Sequence, residues 1–78
     1  MEVYKNYSGN SGITFFDVGK DFIDIIFRND FVYKYNNLKP GKQKVEAMKR
    51  LAQKGKGLST FISQKVRNNY FSKTRIKK

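Results

Sequence analysis

Cysteine, histidine and tryptophan are absent from this 78-residue chain, proline occurs once, and only six side chains are acidic. Each absence closes a route. Without cysteine there is neither a disulfide framework nor a thiolate metal site. Without histidine the commonest general base and the commonest metal ligand are both missing. Ser59, Ser63 and Ser72 have no imidazole to activate them, so an enzyme is not expected. No run approaches the ~20 apolar residues of a membrane span. The opening Met1-Glu2-Val3-Tyr4-Lys5 lacks the basic-then-apolar pattern of a signal peptide. The expectation is one soluble, cytoplasmic domain with no metal and no cofactor.

The scarcity of acids is uneven. Residues 1–38 carry four basic side chains against five acidic ones, a balance of −1. Residues 39–78 carry thirteen against the lone Glu46, a balance of +12. The second half therefore supplies the field, and such a field attracts polyanions. The acids of the first half, Asp17, Asp21, Asp24 and Asp30, could in principle hold a hard cation. Turn chemistry accounts for Asp17, Asp21 and Asp30 without one.

What is present is β-rich first and helical second. Residues 1–12 include Ser8-Gly9-Asn10-Ser11-Gly12 and read as an N-terminal arm, on which Val3, Tyr4 and Tyr7 could dock. Residues 13–18 form a first strand, followed by a turn at Gly19-Lys20. Phe22 to Arg28 and Phe31 to Tyr35 flank Asn29-Asp30 and read as a hairpin. If Asn29-Asp30 is a two-residue loop, Arg28 faces Phe31, Phe27 faces Val32 and Ile26 faces Tyr33. Opposed residues share a face. One face then carries Ile23, Ile25, Phe27 and Val32, the natural core side. The other carries Asp24, Ile26, Arg28, Phe31, Tyr33 and Tyr35. A loop of another length moves both tyrosines to the other face.

Asn36-Asn37-Leu38-Lys39-Pro40-Gly41 breaks the strand, with Pro40 suited to a first helical turn. Lys42 to Lys54 reads as a helix. Val45, Met48, Leu51 and Ala52 lie on one stripe, opposite Lys42, Lys44, Lys49, Arg50 and Lys54. Gly55-Lys56-Gly57 ends it. Ser59 or Thr60 caps a second helix bearing Phe61, Ile62, Val66, Asn69 and Tyr70 at helical spacing, with Lys65 and Arg67 beside the stripe and Phe71 closing it. Residues 72–78 are a basic tail. The expected architecture is α+β, a three-stranded antiparallel β-meander followed by two helices packed on one face, with the domain spanning residues 13–71.

This order, with Ile23-Asp24-Ile25-Ile26-Phe27, then Tyr33-Lys34-Tyr35, a glycine-containing linker at Lys54-Gly55-Lys56-Gly57, and Val66 and Tyr70 four apart, resembles the KTSC domain. That short domain is found at the C-terminus of some lysyl-tRNA synthetases and as a stand-alone bacterial or phage protein. The resemblance covers roughly residues 9–71. This chain carries Asn29-Asp30 where the family favours Asn-Gly. The resemblance implies a fold, and RNA binding has been proposed for the family.

The leading functional expectation is a nucleic-acid-binding module for RNA or single strands, with RNA ahead of duplex DNA. Lys42, Lys44, Lys49, Arg50, Lys54, Lys56, Lys65 and Arg67 would contact phosphates. Tyr33 and Tyr35 would stack on bases, with Lys34 between them. The plainer account puts both rings in the core and leaves the lysines as a solvated face. Gly55 to Thr60 could cradle a phosphate, although it lacks the Walker spacing and reads more simply as a linker. The alternative is a protein-binding inhibitor or accessory protein, phage-encoded and acting in the host cytoplasm, docking on an acidic partner surface. A third reading is capture of a small anionic nucleotide. A homo-oligomer could form through a free edge strand, residues 13–18 or 31–35.

Overall fold

The computed structural model describes residues 2–7, 12–28, 30–66 and 69–75. Within them the chain forms β1 (Glu2–Val3), β2 (Ile13–Val18), β3 (Phe22–Phe27), β4 (Phe31–Asn36), α1 (Lys42–Lys54), α2 (Leu58–Phe61) and β5 (Ser72–Arg75). Helix α2 runs directly into a π-helical turn, Ile62–Val66. The strands build one antiparallel sheet in the order β1-β2-β3-β4-β5. The α+β class and the central three-strand meander match the sequence reading. The sheet has five strands rather than three, because the N-terminal arm adds β1 and the basic tail adds β5.

The two added strands alter the edges. Both strands expected to be free, β2 and β4, lie inside the sheet. Strand β1 pairs with β2 at Phe15 and Phe16, and β5 pairs with β4 from Phe31 to Lys34. The β5 edge displays Lys73 and Arg75, and charge of this kind opposes pairing with another chain.

Register decides what the sheet buries. The ends of β3 and β4 are separated by three residues, 28–30, and not by two. Asp30 N–H donates to the Phe27 carbonyl at 2.9 Å, and Asp30 takes a left-handed φ of 67°. A left-handed last residue is the usual signature of a three-residue hairpin loop. The extra residue slips the pairing by one: Ile26 faces Val32, Ile25 faces Tyr33, Asp24 faces Lys34 and Ile23 faces Tyr35. The inner face therefore holds Ile23, Ile25, Tyr33 and Tyr35. Ile26, Val32, Asp24 and Lys34 point the other way.

A second irregularity does similar work in β2. Ile13 and Phe16 are both buried in the core although they are three apart, which a period of two forbids. The pairing jumps between Ile13 and Phe15, making Thr14 an extra residue. Thr14 hydroxyl donates to the Ile26 carbonyl at 3.1 Å, and its own carbonyl accepts from Tyr4 N–H at 3.0 Å.

Helix α1 has the predicted bounds and lays Val45, Met48 and Ala52 on the inner face. Val45, Met48, Ile23 and Ile25 are fully buried, each worth about 1.5–3 kcal/mol relative to exposure. Gly55 ends the helix in the left-handed conformation, its N–H donating to the Leu51 carbonyl at 3.0 Å. Pro40 stands two residues ahead of the helix rather than in its first turn, and the Lys39–Pro40 peptide is cis. Helix α2 starts at Leu58, so neither Ser59 nor Thr60 caps it. Its first N–H, on Leu58, is met at 3.3 Å by the hydroxyl of Tyr4, reaching in from the arm. Val66 closes the core, whereas Phe71 is half exposed and does not.

Candidate functional site

The helices cover one face of the sheet, and the expected site is split by that layering. Tyr35 is 1% exposed, opposite Ile23 at the centre of the core. Burial pushes its hydroxyl pKa far above the ordinary range, and the neighbouring Tyr33 and Tyr70 add to the shift. It offers no face to a base. Tyr33 is half-buried and already engaged. Its ring meets Phe27 edge-on at 5.1 Å and Tyr70 edge-on at 5.0 Å. The expectation that both rings form a stacking platform is thus overturned at Tyr35, and its cause is the three-residue loop.

Lys34 is on the far side of the sheet from the helices. Its ammonium lies 3.4 Å from Asp24 Oδ1 and 4.0 Å from the centre of the Phe22 ring. No donor among the described residues hydrogen-bonds that carboxylate oxygen. Burial raises the Asp24 pKa, against the opposing pull of Lys34. Lys34 therefore serves a local pair and is separated from the other cations.

The basic residues of the helical half divide in two. Lys42, Arg50, Lys54, Lys56 and Lys65 are exposed, and Lys44 is half-buried. Lys49 is committed: its ammonium donates to Glu46 Oε2 and to the Lys20 carbonyl, both at 3.0 Å. Arg67 lies outside the described residues. Glu46 is the only acid from residue 42 through residue 75. On α1 it sits one turn from both Lys42 and Arg50, which leaves Lys54, Lys56 and Lys65 farther along with no acid nearby in sequence.

No protein family, curated protein or solved structure matches the chain. No helix among the described residues is long and apolar enough to cross a membrane.

Three cations, Lys73, Arg75 and Lys5, lie outside the expected set. Lys73 and Arg75 face the helical side from β5, because their partners Tyr33 and Phe31 share a face with Ile25. The Lys73 ammonium lies 4.6 Å from the Phe31 ring centre and 5.5 Å from that of Tyr33. The alternation Ser72-Lys73-Thr74-Arg75 was the available signal, but it carries no apolar residue to mark a strand. Lys5 of the arm comes against Gly55 at the α1–α2 turn, between the expected Lys54 and Lys56.

The open face of the sheet has a different character. Register aligns Val3, Phe15, Ile26, Val32 and Thr74 in one row across all five strands. Ile26 is buried by its neighbours outside the main core, while Val3 is 61% and Phe15 38% exposed. The next row is Asp17, Asp24, Lys34 and Ser72. This face sets a largely apolar row beside a polar one and carries little net charge.

Proposed function

We propose that this protein is a small cytoplasmic nucleic-acid-binding module, acting on RNA ahead of duplex DNA and without catalysis. The observation that carries the reading is that Lys42, Arg50, Lys54, Lys56 and Lys65 of the helical segment are all exposed, with Glu46 as the only acid in that segment. Each phosphate neutralised there releases counterions, so affinity falls steeply with salt. The order of elements, which resembles the KTSC domain, supports RNA over duplex. Tyr33, Tyr35 and Lys34 have no part in the mechanism, and Lys49 supports the helix rather than the ligand. Fluorescence anisotropy with labelled RNA, single-stranded DNA and duplex DNA, at about 50 and 200 mM salt, tests it. Absence of binding at the lower salt sinks the reading.

A second reading is favoured by the open face. Exposed Val3 and Phe15, beside half-buried Phe22 and Val32, suit a protein partner better than a polyanion. A phage-encoded inhibitor or accessory protein would dock there. A partner retained after nuclease treatment and lost on Phe15→Glu supports this reading. A partner lost with the nuclease supports the first.

A further inference from the structure

We propose that Tyr7 is the base-stacking residue of a single-stranded nucleic-acid site at the α1–α2 turn, with Lys5, Lys54 and Lys56 as its phosphate contacts. This inference rests on the nucleic-acid reading above and assigns to it an aromatic contact that buried Tyr35 cannot make.

The arm is pinned at both sides of the turn. Tyr4 hydroxyl accepts from Leu58 N–H at 3.3 Å, and Tyr7 N–H donates to the Gly55 carbonyl at 2.7 Å. Asn6, between them, adopts a left-handed φ of 57°. The Tyr7 ring lies directly against Gly55: a methyl group added there would come within 2.9 Å of Tyr7 Cε2 and 2.7 Å of Lys5 Cβ. Yet Tyr7 is 71% exposed. Its backbone does the clasping, and most of the ring faces solvent.

That combination suits stacking. A base needs a flat apolar surface already fixed in position, because ordering a loose ring on binding costs affinity. Cations must lie at the spacing of a sugar-phosphate chain around it. Lys54 and Lys56 flank Gly55 in sequence, both are exposed, and Lys5 contacts the same glycine. The other exposed aromatics lack this setting. Phe15 lies on the near-neutral open face, and the cation nearest Phe71 in sequence, Lys73, sits over Phe31 and Tyr33.

The chain has no tryptophan, so Tyr7→Trp introduces a single indole reporter. The probes are a short oligouridylate and a DNA duplex of equal length, both at low salt. Expected are quenching of the Tyr7→Trp emission by oligouridylate, a loss of about fivefold or more in its affinity on Tyr7→Ala, and near-full affinity in Tyr7→Phe. Duplex affinity should stay the same in Tyr7→Ala, because paired bases are not free to stack on the ring. Thermal melting of each variant reports folding. If Tyr7→Ala binds oligouridylate as wild type does, or weakens both probes equally, the stacking role is overturned while the basic surface stands. If wild-type protein binds neither probe, both the stacking role and the nucleic-acid reading fail.

Discussion

Tyr35 lies directly across β3 and β4 from Ile23, and both side chains are buried where the sheet meets α1. This pair ties a tyrosine that looked like a surface platform to the stability of the whole domain. Tyr35→Ala should cost about 3–5 kcal/mol, as removal of a buried ring does. That is a large part of the 5–15 kcal/mol typical of a domain. Urea unfolding followed by circular dichroism measures it. A folded Tyr35→Leu variant, which removes the aromatic ring, should keep its nucleic-acid affinity; a loss of affinity in that variant would restore the stacking role.

The same burial predicts an alkaline limit. An unfolded tyrosine ionises near pH 10. Folded Tyr35 keeps its proton to higher pH. Between the two values the folded state holds a proton that the unfolded state has lost, so stability falls as pH rises. Melting temperature should decline from about pH 10 upward, and Tyr35→Phe should flatten that decline. An identical decline in both proteins refutes the assignment.

Asp24 gives a test of the same sign at acid pH. Its folded pKa is raised above 3.8, so ionisation is harder in the folded state and costs stability once the carboxylate is charged. Asp24→Asn should be neutral or stabilising at pH 7, by no more than about 1 kcal/mol, since the ion pair with Lys34 is partly solvated. Any gain should disappear below pH 3.8, where the native side chain is neutral in both states. A marked destabilisation at pH 7 would mean that the Lys34 pair outweighs burial.

The cations are separable by their partners. Arg50→Gln or Lys54→Gln should lower affinity for RNA and reduce the salt dependence by about one counterion each. Lys34→Gln, on the opposite side of the sheet, should leave both unchanged. Lys49→Gln should lower the melting temperature by removing two 3.0 Å hydrogen bonds, with little effect on the salt slope. A slope that responds to Lys34 or Lys49 but not to Arg50 would relocate the interface.

Gly55 and Gly41 should respond differently to alanine. Both have positive φ, so each substitution carries a backbone cost, about 1–2 kcal/mol for left-handed Gly55 and about 1–3 kcal/mol for Gly41, whose φ of 113° and ψ of 162° lie in a region essentially reserved to glycine. A Cβ at Gly41 meets no atom within 4 Å, whereas one at Gly55 runs into Lys5 and Tyr7. Gly55→Ala should therefore be the one that displaces the arm, and limited proteolysis should show the arm cut sooner in that variant than in Gly41→Ala. Equal effects would show that the arm does not press on the turn.

Much of this fold could be read from residues. Strand β2 and helix α1 have the predicted bounds, since their apolar spacing and the glycine after α1 are strong local signals. The tyrosines were misplaced because a single loop residue sets their face, and Asn29-Asp30 resembles a two-residue turn closely enough to mislead. Strand β5 was missed because an edge strand needs only backbone pairing, which Ser72 to Arg75 supply without an apolar mark. The lysines of α1 were legible as a group. That Lys49 is held by a carbonyl from a distant turn was not, because Lys20 and Lys49 meet only in the folded chain.

The sheet's neighbour-to-neighbour order also sets the sequence of its assembly. Between β2 and β3, and again between β3 and β4, the chain closes over three residues, 19–21 and 28–30. Such short closures are quick and cost little chain entropy. Strand β5 closes a far longer connection, residues 37–71, which contains both helices. The central hairpins are thus expected to form early, and the basic outer strand is the part whose docking reports that folding is complete.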